Sequence, residues 1–342
     1  MVFHPPAPAE SPVARPVPSP NPAERPTEPL EPEQRLISLP QALSSYNQNL
    51  LPLPIESVAT EQALNRCLAE SPLAGVDLPG FTQSAVDGYA LLSFETNWAS
   101  PDKPVRLRVI GEIAAGPRKT DPPPLAGNMA YRILTGASIP RGVDTVVPQE
   151  VVKLEGDSIR LEAPVLVRRN IRYAGEELKR GDVLAAPGQR VSPGLLAALM
   201  AAGTHTLRVY RRPRVGVLVT GDEVVPAGQL PAEGQVHDAN APLIRNWMVA
   251  LGYPAPTVSY VKDVRRDVET ALAAALDSSD LVITSGGVSV GSRDYLPVSA
   301  QACGVRRIFW KVAQKPGKPL FFGLRDKTPL LALPGNPAAV LV

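Results

Sequence analysis

From Arg214 onward, apolar strand-like segments alternate with helix-like segments, and this alternation constrains the fold more than any other feature. RVGVLVTGDE, PTVSYVKD and DLVITSGG have the character of buried strands, and DANAPLIRNWMVALG and VRRDVETALAAALDS have that of the helices between them. Strands and helices in this order predict a parallel sheet with right-handed crossover connections. FWKVAQKPGKPLFFG and PLLALPGNP add further strands and turns. We therefore expect an α/β domain over residues 213–342.

The ends of the two helical segments carry residues that favour helix boundaries. Asp238 or Asn240 is expected to cap the first helix, with Pro242 in its first turn and Gly252 past its end. Asp263 is expected to cap the second helix, which the pattern starts one residue later. A capping role does not exclude a ligand role for Asp263, because both use the region above the sheet.

The middle of the chain has a different texture. Residues 35–70 are expected to form two helices, ISLPQALSSYNQNLLP and ESVATEQALNRCLAES, because apolar residues recur at helical spacing. From Gly75 to about Arg168, short β-rich segments broken by Gly and Pro predict a small, separate β-rich domain. Residues 169–212 are expected to contain loops, the short helix SPGLLAALMAAG and the alternating segment HTLRVY.

Proline is concentrated at the start of the chain. The sequence contains 39 prolines, and eleven of them precede Gln34. Proline removes backbone donors, and this stretch has little apolar surface to bury, so residues 1–34 are expected to be a disordered, polyproline-like tail. A PxxP docking role is the less favoured alternative. At the other end the chain stops at AAVLV, soon after LPGNP, and we expect that C-terminal sequence is missing.

Composition excludes several classes of protein. The 342 residues suffice for two to three domains, and 35 Lys and Arg against 33 Asp and Glu give a net charge of only +2, which argues against a nucleic-acid partner. Two cysteines and three histidines are too few for a disulfide framework or a zinc site, so any metal is expected to be a hard cation held by oxygen atoms. We find no signal-peptide pattern and no membrane-spanning run, and we expect a cytoplasmic protein without a membrane partner.

Three strand ends carry unusual turns: TGDE, TSGGVSVGSRD and LPGNP. Ligands of open parallel sheets bind at the carboxyl ends of the strands, so these turns are candidates for a single site. The turn Ser285–Gly291 can expose backbone N–H groups to a phosphate or another oxyanion, and a glycine-rich turn that merely packs is the alternative.

Charged residues near these turns suggest how such an anion would be held. Glu223 and Asp294 are candidates to bind a magnesium ion that bridges to phosphate oxygens, with two solvated loop acids as the alternative. Lys311, Lys315 and Lys318 lie in WKVAQKPGKP, where Pro and Gly could project them toward an anion. Solubilising lysines on an exposed loop are the alternative.

The β-rich region carries two further polar turns. DLPGFTQSAVDGYAL places Asp87 before a glycine, and LTGASIP places Thr135 on a similar turn. Either pattern is also compatible with ordinary hairpin turns. No Ser-His-Asp or Cys-His pattern stands out, so covalent catalysis has little support.

Eight motifs occur in a characteristic order: DLPGFTQSAVDGYAL, ILTGASIPRGVDTVVPQE, IRYAGEELKRGDVL, VLVTGDE, DANAPLI, SDLVITSGGVSVGSRDYL, KVAQKPGKP and LPGNPAA. Together they resemble the molybdopterin molybdenumtransferase family, which is related to the C-terminal part of gephyrin. The resemblance covers about residues 35–342 and leaves out the proline-rich tail.

The resemblance implies a transferase that takes adenylylated molybdopterin and molybdate, releases AMP with the help of magnesium, and forms molybdenum cofactor. It implies a homodimer with the site between subunits, and it suggests contact with the molybdopterin adenylyltransferase. The implied fold is α/β multidomain: an elongated helical and linker domain (35–74 plus 169–212), an inserted β-rich domain (75–168) and a three-layer α/β molybdopterin-binding domain (213–342). The family's small C-terminal β-domain is expected to be missing.

The resemblance also implies roles for individual residues, transferred motif by motif. The implied catalytic positions are Asp87, Thr135, Glu177, Glu223, Asp263, Asp294, Lys311 and Lys315, of which Glu223 and Asp294 would hold magnesium. The family often has Asp at the position of Glu177, and Asp87 and Thr135 would come from the other subunit. The implied positions for binding the molybdopterin substrate are Ser285, Gly286, Gly287, Ser289, Gly291, Lys318, Pro334, Gly335, Asn336 and Pro337.

Two other functions remain open on the sequence. A non-catalytic molybdopterin-binding or scaffold protein, or an inactive fragment of this fold, is favoured by the abrupt end of the chain. An adenylyltransferase acting one step earlier shares the α/β domain, but the region 35–212 argues against it. Molybdate and tungstate have the same charge and nearly the same size, so the sequence does not distinguish them.

Overall fold

A computed structural model of the chain describes residues 36–118, 120–288 and 295–342. The predicted tail 1–34 and the site candidates Ser289, Gly291 and Asp294 lie outside these ranges. Within them the α-helices are α1 (Leu39–Asn49), α2 (Pro193–Ala201), α3 (Asn240–Ala250), α4 (Arg265–Ser278), α5 (Leu296–Ala302) and α6 (Pro337–Leu341). The strands are β1 (Ile55–Ala59), β2 (Gln83–Ser84), β3 (Gly88–Leu91), β4 (Val105–Ile113), β5 (Met129–Ile133), β6 (Thr145–Pro148), β7 (Lys153–Glu155), β8 (Ser158–Leu161), β9 (Ile171–Arg172), β10 (Thr206–Tyr210), β11 (Val215–Thr220), β12 (Val224–Val225), β13 (Val236–His237), β14 (Thr257–Val261), β15 (Leu281–Ser285), β16 (Arg306–Trp310), β17 (Phe321–Arg325) and β18 (Thr328–Leu333).

The last part of the chain forms one six-stranded sheet with the order β14-β11-β15-β18-β17-β16. The first four of these strands are parallel to one another, which confirms the prediction from the alternating pattern. β17 runs antiparallel to both of its neighbours, so the sheet is mixed at this edge. The cause is the short connection between β17 and β18, Asp326 and Lys327, because so short a turn can join only antiparallel strands.

Helices cover both faces of this sheet. The six residues of β11 are all buried. Val217 packs with Ile244 of α3 on one face, and Leu218 packs with Leu272 of α4 on the other. A strand buried on both faces reads as a continuous apolar run, which is why RVGVLVTGDE was recognisable in the sequence. Its carboxyl end emerges at one edge of the sheet together with those of β15 and β18.

The prediction of a second helix near the start of the chain is wrong. Residues of ESVATEQALNRCLAES form β1, which pairs antiparallel with β10. Ile55 and Val58 are β-branched and suit a strand, and the pairing with a distant segment outweighs the helical spacing. Leu68 of the segment 35–74 shares one buried core with Leu199 and Leu207 of the segment 169–212.

Helix α1 packs on the α/β sheet. Its Tyr46 ring lies against Phe309 and Phe322, with ring centroids 5.7 Å and 4.7 Å away, and burial raises the pKa of Tyr46 to about 12. The helix begins with a capping box between Ser38 and Gln41. This contact joins a helix from the beginning of the described chain to the antiparallel edge of the sheet.

The β-rich region forms a second six-stranded sheet with the order β6-β3-β5-β4-β8-β7, as its texture predicted. Buried clusters lie on its two faces, around Leu107 and around Ile133. Gly88 begins β3 where a Cβ atom would stand 2.0 Å from the Val147 carbonyl oxygen, so only glycine fits there. Among the described helices, none is both long and apolar enough to cross a membrane.

Candidate functional site

A cavity of about 190 Å³ lies at the carboxyl ends of β11 and β15. All three strand-end turns identified in the sequence contribute to its wall. The predicted site residues in the wall are Glu223, Asp263, Ser285, Gly286, Gly287 and Gly335. A larger cavity of about 430 Å³ lies between α4 and the strands β11 and β14, but small and apolar residues dominate its wall and none of the predicted site residues line it.

The glycine turn after β15 closely approaches the end of β11. Gly286 and Gly287 have φ values of +93° and +66°. A Cβ atom at Gly286 would stand 2.6 Å from the carbonyl oxygen of Thr220, and one at Gly287 would stand 3.0 Å from its hydroxyl. Glycine is therefore required at both positions. The N–H of Gly286 donates to Leu333 O at 3.1 Å, so this amide belongs to the sheet and does not serve the predicted anion nest.

Two of the predicted acids line the cavity. The carboxylate of Glu223 lies over Gly221, where a Cβ atom would stand 2.7 Å from Glu223 Oε2. The N–H of Asp263 donates to Asp222 Oδ1 at 3.3 Å. Helix α4 has Val264 as its N-cap, so the expected capping role of Asp263 is wrong. The turn places Asp263 beside the cavity, before the helix begins.

Carboxylate oxygens of this kind fit magnesium, which binds through one or two carboxylates together with water and phosphate oxygens. Within 36–118, 120–288 and 295–342, no group of three or more His, Cys, Asp or Glu residues could hold a metal ion. Glu223 could thus be a magnesium ligand only if other oxygen atoms complete the coordination. Its predicted partner Asp294 is one of the residues outside the described ranges.

Asp238 and Asn240 line the cavity as well, and the sequence indicated them only as helix caps. The N-cap of α3 is Ala239, which has no side-chain capping bond, but the carboxylate of Asp238 just before it accepts from the N–H of Asn240 at 2.8 Å and of Ala241 at 3.2 Å. It also accepts from the Tyr260 hydroxyl at 2.9 Å. Burial, assisted by this hydrogen bond, raises the pKa of Tyr260 to about 12.

The side chain of Asn240 connects the start of α3 to the carboxyl ends of β15 and β18. Its Nδ2 donates to Ser285 Oγ at 2.6 Å and to Gly335 O at 2.8 Å. Ser285 is the last residue of β15 and Gly335 follows β18, whereas Asn240 begins α3. The sequence indicated Asn240 only as a possible helix cap, and the partners of its side chain could not be identified there.

Only the glycine of the LPGNP turn contributes to the cavity wall. Asn336 caps α6, because its Oδ1 accepts from the N–H of Ala338 at 3.0 Å, and Pro337 is the first residue of this helix. Pro334, Asn336 and Pro337 thus shape the turn that presents the Gly335 carbonyl group.

The predicted lysines lie outside the cavity wall. Lys311 places its Nζ 4.6 Å from the centroid of the Trp310 ring, an arrangement that favours a cation. The indole of Trp310 donates to Val288 O at 3.2 Å, which connects this loop to the glycine turn. Lys315 and Lys318 are exposed.

Asp87 and Thr135 form a pair on the other sheet. Asp87 Oδ1 accepts from both the N–H and the hydroxyl of Thr135, each at 2.7 Å. These hydrogen bonds, the backbone one first, and the charge of Arg132 hold the pKa of Asp87 below its usual value. Both residues are exposed, so the carboxylate is available to a partner.

Glu177 belongs to neither cluster. Its side chain forms an ion pair with Arg172, and its N–H donates to Leu78 O at 3.0 Å. It therefore lies beside the short ladder of β2 and β9.

The fold defines a multidomain α/β protein with a polar cavity at the strand ends of its mixed sheet. Residues 37–203 match the model of the MoeA N-terminal region (domain I and II). Residues 216–342 match the model of the probable molybdopterin binding domain.

Individual relatives give the family. The molybdopterin molybdenumtransferase of Synechococcus elongatus is 38% identical over 302 residues, which cover 85% of this chain and 73% of the relative. That of Haemophilus influenzae is 36% identical over 310 residues, or 90% and 74%. The crystal structure of the molybdopterin biosynthesis MoeA protein from Pyrococcus horikoshii OT3 aligns with a TM-score of 0.75 at 29% identity, covering 90% of this chain and 76% of that one. The chain belongs to the molybdopterin molybdenumtransferase family, and it is a transferase of molybdenum cofactor biosynthesis.

Proposed function

We propose that this protein inserts molybdenum from molybdate into adenylylated molybdopterin, with magnesium-dependent release of AMP. The observation that carries this proposal is the cavity in which a glycine turn and the acids Glu223 and Asp263 converge at strand ends. Such a position is where open α/β sheets bind their ligands. The matches to molybdenumtransferases support the substrate.

The reaction breaks the phosphoanhydride bond between AMP and molybdopterin, and negative charge builds on phosphate oxygens. Preorganised donors and cations aimed at this charge are the main means of catalysis for such a step. Lys315 and N–H groups of the glycine turn would hold the phosphates, and Lys311 or Lys318 would bind molybdate. Glu223, with Asp294, would hold magnesium, which when bound neutralises phosphate charge.

The pair of Asp87 and Thr135 would complete the site from the second subunit of a homodimer. The pair belongs to a different sheet from the cavity and is exposed on its own unit. Two hydrogen bonds from Thr135 hold the Asp87 carboxylate in place and lower its pKa, so it would act as a fixed acceptor. Contact with the molybdopterin adenylyltransferase would deliver the substrate.

The division into an elongated domain, an inserted β-rich domain and an α/β domain is part of the same proposal. The shared core of residues near Leu68 and Leu199 supports the two-segment first domain. The free thiols Cys67 and Cys303 are compatible with the proposed cytoplasmic location.

A single-turnover assay with adenylylated molybdopterin, magnesium and molybdate tests the reaction by following AMP release. We expect molybdate to stimulate release in the unchanged protein and Glu223→Ala to reduce the rate by at least about 100-fold, as is typical for losing one group that stabilises the transition state. Glu233→Ala, a change of another exposed acid, is the matched control and should retain the rate. Tight binding without AMP release would instead indicate a receptor or scaffold.

A further inference from the structure

The loop between β16 and β17 carries three lysines, which we call the lysine surface: Lys311, Lys315 and Lys318. Lys315 and Lys318 are exposed, and Lys311 places its Nζ 4.6 Å from the centroid of the Trp310 ring. No carboxylate of the described residues forms an ion pair with any of the three lysines. Cations that lie close together without an acid repel one another and favour an anionic partner.

Hydrogen bonds hold the start of the described chain against this loop. The N–H of Ile37 donates to Lys311 O at 3.4 Å, and the N–H of Ala313 donates to Ile37 O at 2.8 Å. Val312 pairs with Ile37 in a parallel bridge, and its N–H donates to Lys318 O at 2.9 Å. The chain therefore enters the described part of the molecule directly beside the lysine surface.

The residues that come before this entry point are acidic. Glu28, Glu31 and Glu33 lie within residues 26–34, which contain no Lys or Arg. A chain spans at most about 3.4 Å per residue, so Glu33 stays within roughly 14 Å of Ile37 and Glu28 within roughly 31 Å. The covalent connection thus keeps these carboxylates at an effective concentration on the order of millimolar around the lysine surface.

We propose that the lysine surface is a docking site for residues 28–33 of the same chain, with ion pairs between glutamate and lysine as the contact. The opposite charges and the short connection to Ile37 support this occupant. Pro29 and Pro32 fix φ between the glutamates, so docking loses less conformational entropy than it would without proline. Single exposed ion pairs contribute little, so the docking depends on several acting together and weakens with salt.

Docking makes residues 28–33 an internal competitor of anionic ligands. This consequence, unlike the docking itself, rests on the proposed function, which assigns Lys315 to phosphate and Lys311 or Lys318 to molybdate. An anion that needs these lysines binds only the fraction of molecules in which the segment is undocked, so its apparent affinity is reduced. The reduction should become smaller as the ionic strength rises.

Cross-linking of the unchanged protein with a carbodiimide tests the docking. The reagent joins a carboxylate to an amine only where the two are in contact, and mass spectrometry of a digest identifies the joined residues. We expect links from Glu28, Glu31 or Glu33 to Lys315 or Lys318. These links should disappear at about 1 M salt, where the Debye length is only about 3 Å.

Lys327 is the internal control, because it is an exposed lysine in the turn between β17 and β18 of the same sheet. A segment without a preferred position would react with any lysine that it can reach. The docking is overturned if links to Lys327 are as frequent as those to the lysine surface, or if residues 28–33 form no links.

Titration calorimetry with molybdate alone tests the competition. The triple variant Glu28→Gln, Glu31→Gln, Glu33→Gln removes the acidic charges of the segment. It should bind molybdate about fivefold more tightly than the unchanged protein at low ionic strength, the effect of a few exposed ion pairs. The two proteins should bind alike at about 1 M salt, because the competing contact is then screened.

A second triple variant, Glu10→Gln, Glu61→Gln, Asp102→Asn, is matched in charge. Glu10 lies far from Ile37 along the chain, and Glu61 and Asp102 are exposed. This variant should bind molybdate as the unchanged protein does. An equal gain in both variants, or no gain in the first, contradicts the competition. If none of the proteins binds molybdate, the assignment of these lysines in the proposed function fails together with the competition, and the cross-links still decide the docking.

Discussion

Two hydrogen bonds from Thr135 lower the pKa of the exposed Asp87 carboxyl group. We predict that Thr135→Val, which removes one of the two hydrogen bonds to Asp87, raises the pKa of this carboxyl group toward its usual value. A lowered pKa stabilises the fold at pH values above the ordinary range of Asp, and this contribution is lost as the pH falls through the lowered pKa. Carboxyl-detected NMR titration checks the shift. Ser100→Ala, another hydroxyl loss in the β-rich region, should leave the titration of Asp87 unchanged.

At the scale of elements, the close approach of the glycine turn to β11 gives a matched pair of substitutions. Gly286 and Gly228 both have φ of +93°, but a Cβ atom meets Thr220 O at 2.6 Å in the first and nothing within 4 Å in the second. We predict that Gly228→Ala lowers the free energy of unfolding by about 1 kcal/mol through the backbone alone. Gly286→Ala should cost at least about 1 kcal/mol more, because of the added overlap, and should also weaken AMP binding.

Urea unfolding of the two alanine variants provides the comparison, and AMP titration provides the functional measurement. Equal losses of stability would show that the turn moves away from β11 without cost. In that case the turn would not depend on Thr220 for its position.

The strands and helices also show how much of the fold could be predicted from the sequence. The strands β11 and β15 and the helices α3 and α4 were predictable. A strand buried on both faces is a continuous apolar run, and a helix buried on one face has apolar residues at helical spacing. β1 was not, since its partner β10 is far away along the chain. The same limit applies to the site: the strand-end turns predicted Glu223 and Gly286 in one place, but the contacts of Asn240 with residues 45 and 95 positions away leave no local signal.

At the scale of the whole molecule, Asp280 joins the α/β sheet to the segment that follows β10. It accepts two hydrogen bonds from the guanidinium of Arg211 at 2.8 Å and one from the N–H of Arg214 at 2.7 Å. The hydrogen bonds from Arg211, followed by those from Arg214, hold the pKa of Asp280 well below its usual range. Only 12% of the side chain is exposed, so solvent screens this contact weakly.

We predict that Asp280→Asn lowers the free energy of unfolding at pH 7 by at least about 2 kcal/mol. Since the lowered pKa stabilises the fold only while Asp280 is ionised, the difference should shrink as the pH falls below the ordinary range of Asp. Urea unfolding across this range measures it. Asp277→Asn is the control: its ion pair with Arg325 has a carboxylate that is 73% exposed, and its loss should cost less than about 1 kcal/mol. A similar loss in both variants would contradict the role given to Asp280.

The packing of α1 on Phe309 and Phe322 has a consequence for synthesis on the ribosome. Tyr46 leaves the exit tunnel about 260 residues before its aromatic partners. At roughly 5–20 residues per second, the helix waits on the order of ten seconds or more with its apolar side unprotected. Helix α1 can therefore dock on these rings only after most of the chain has been made.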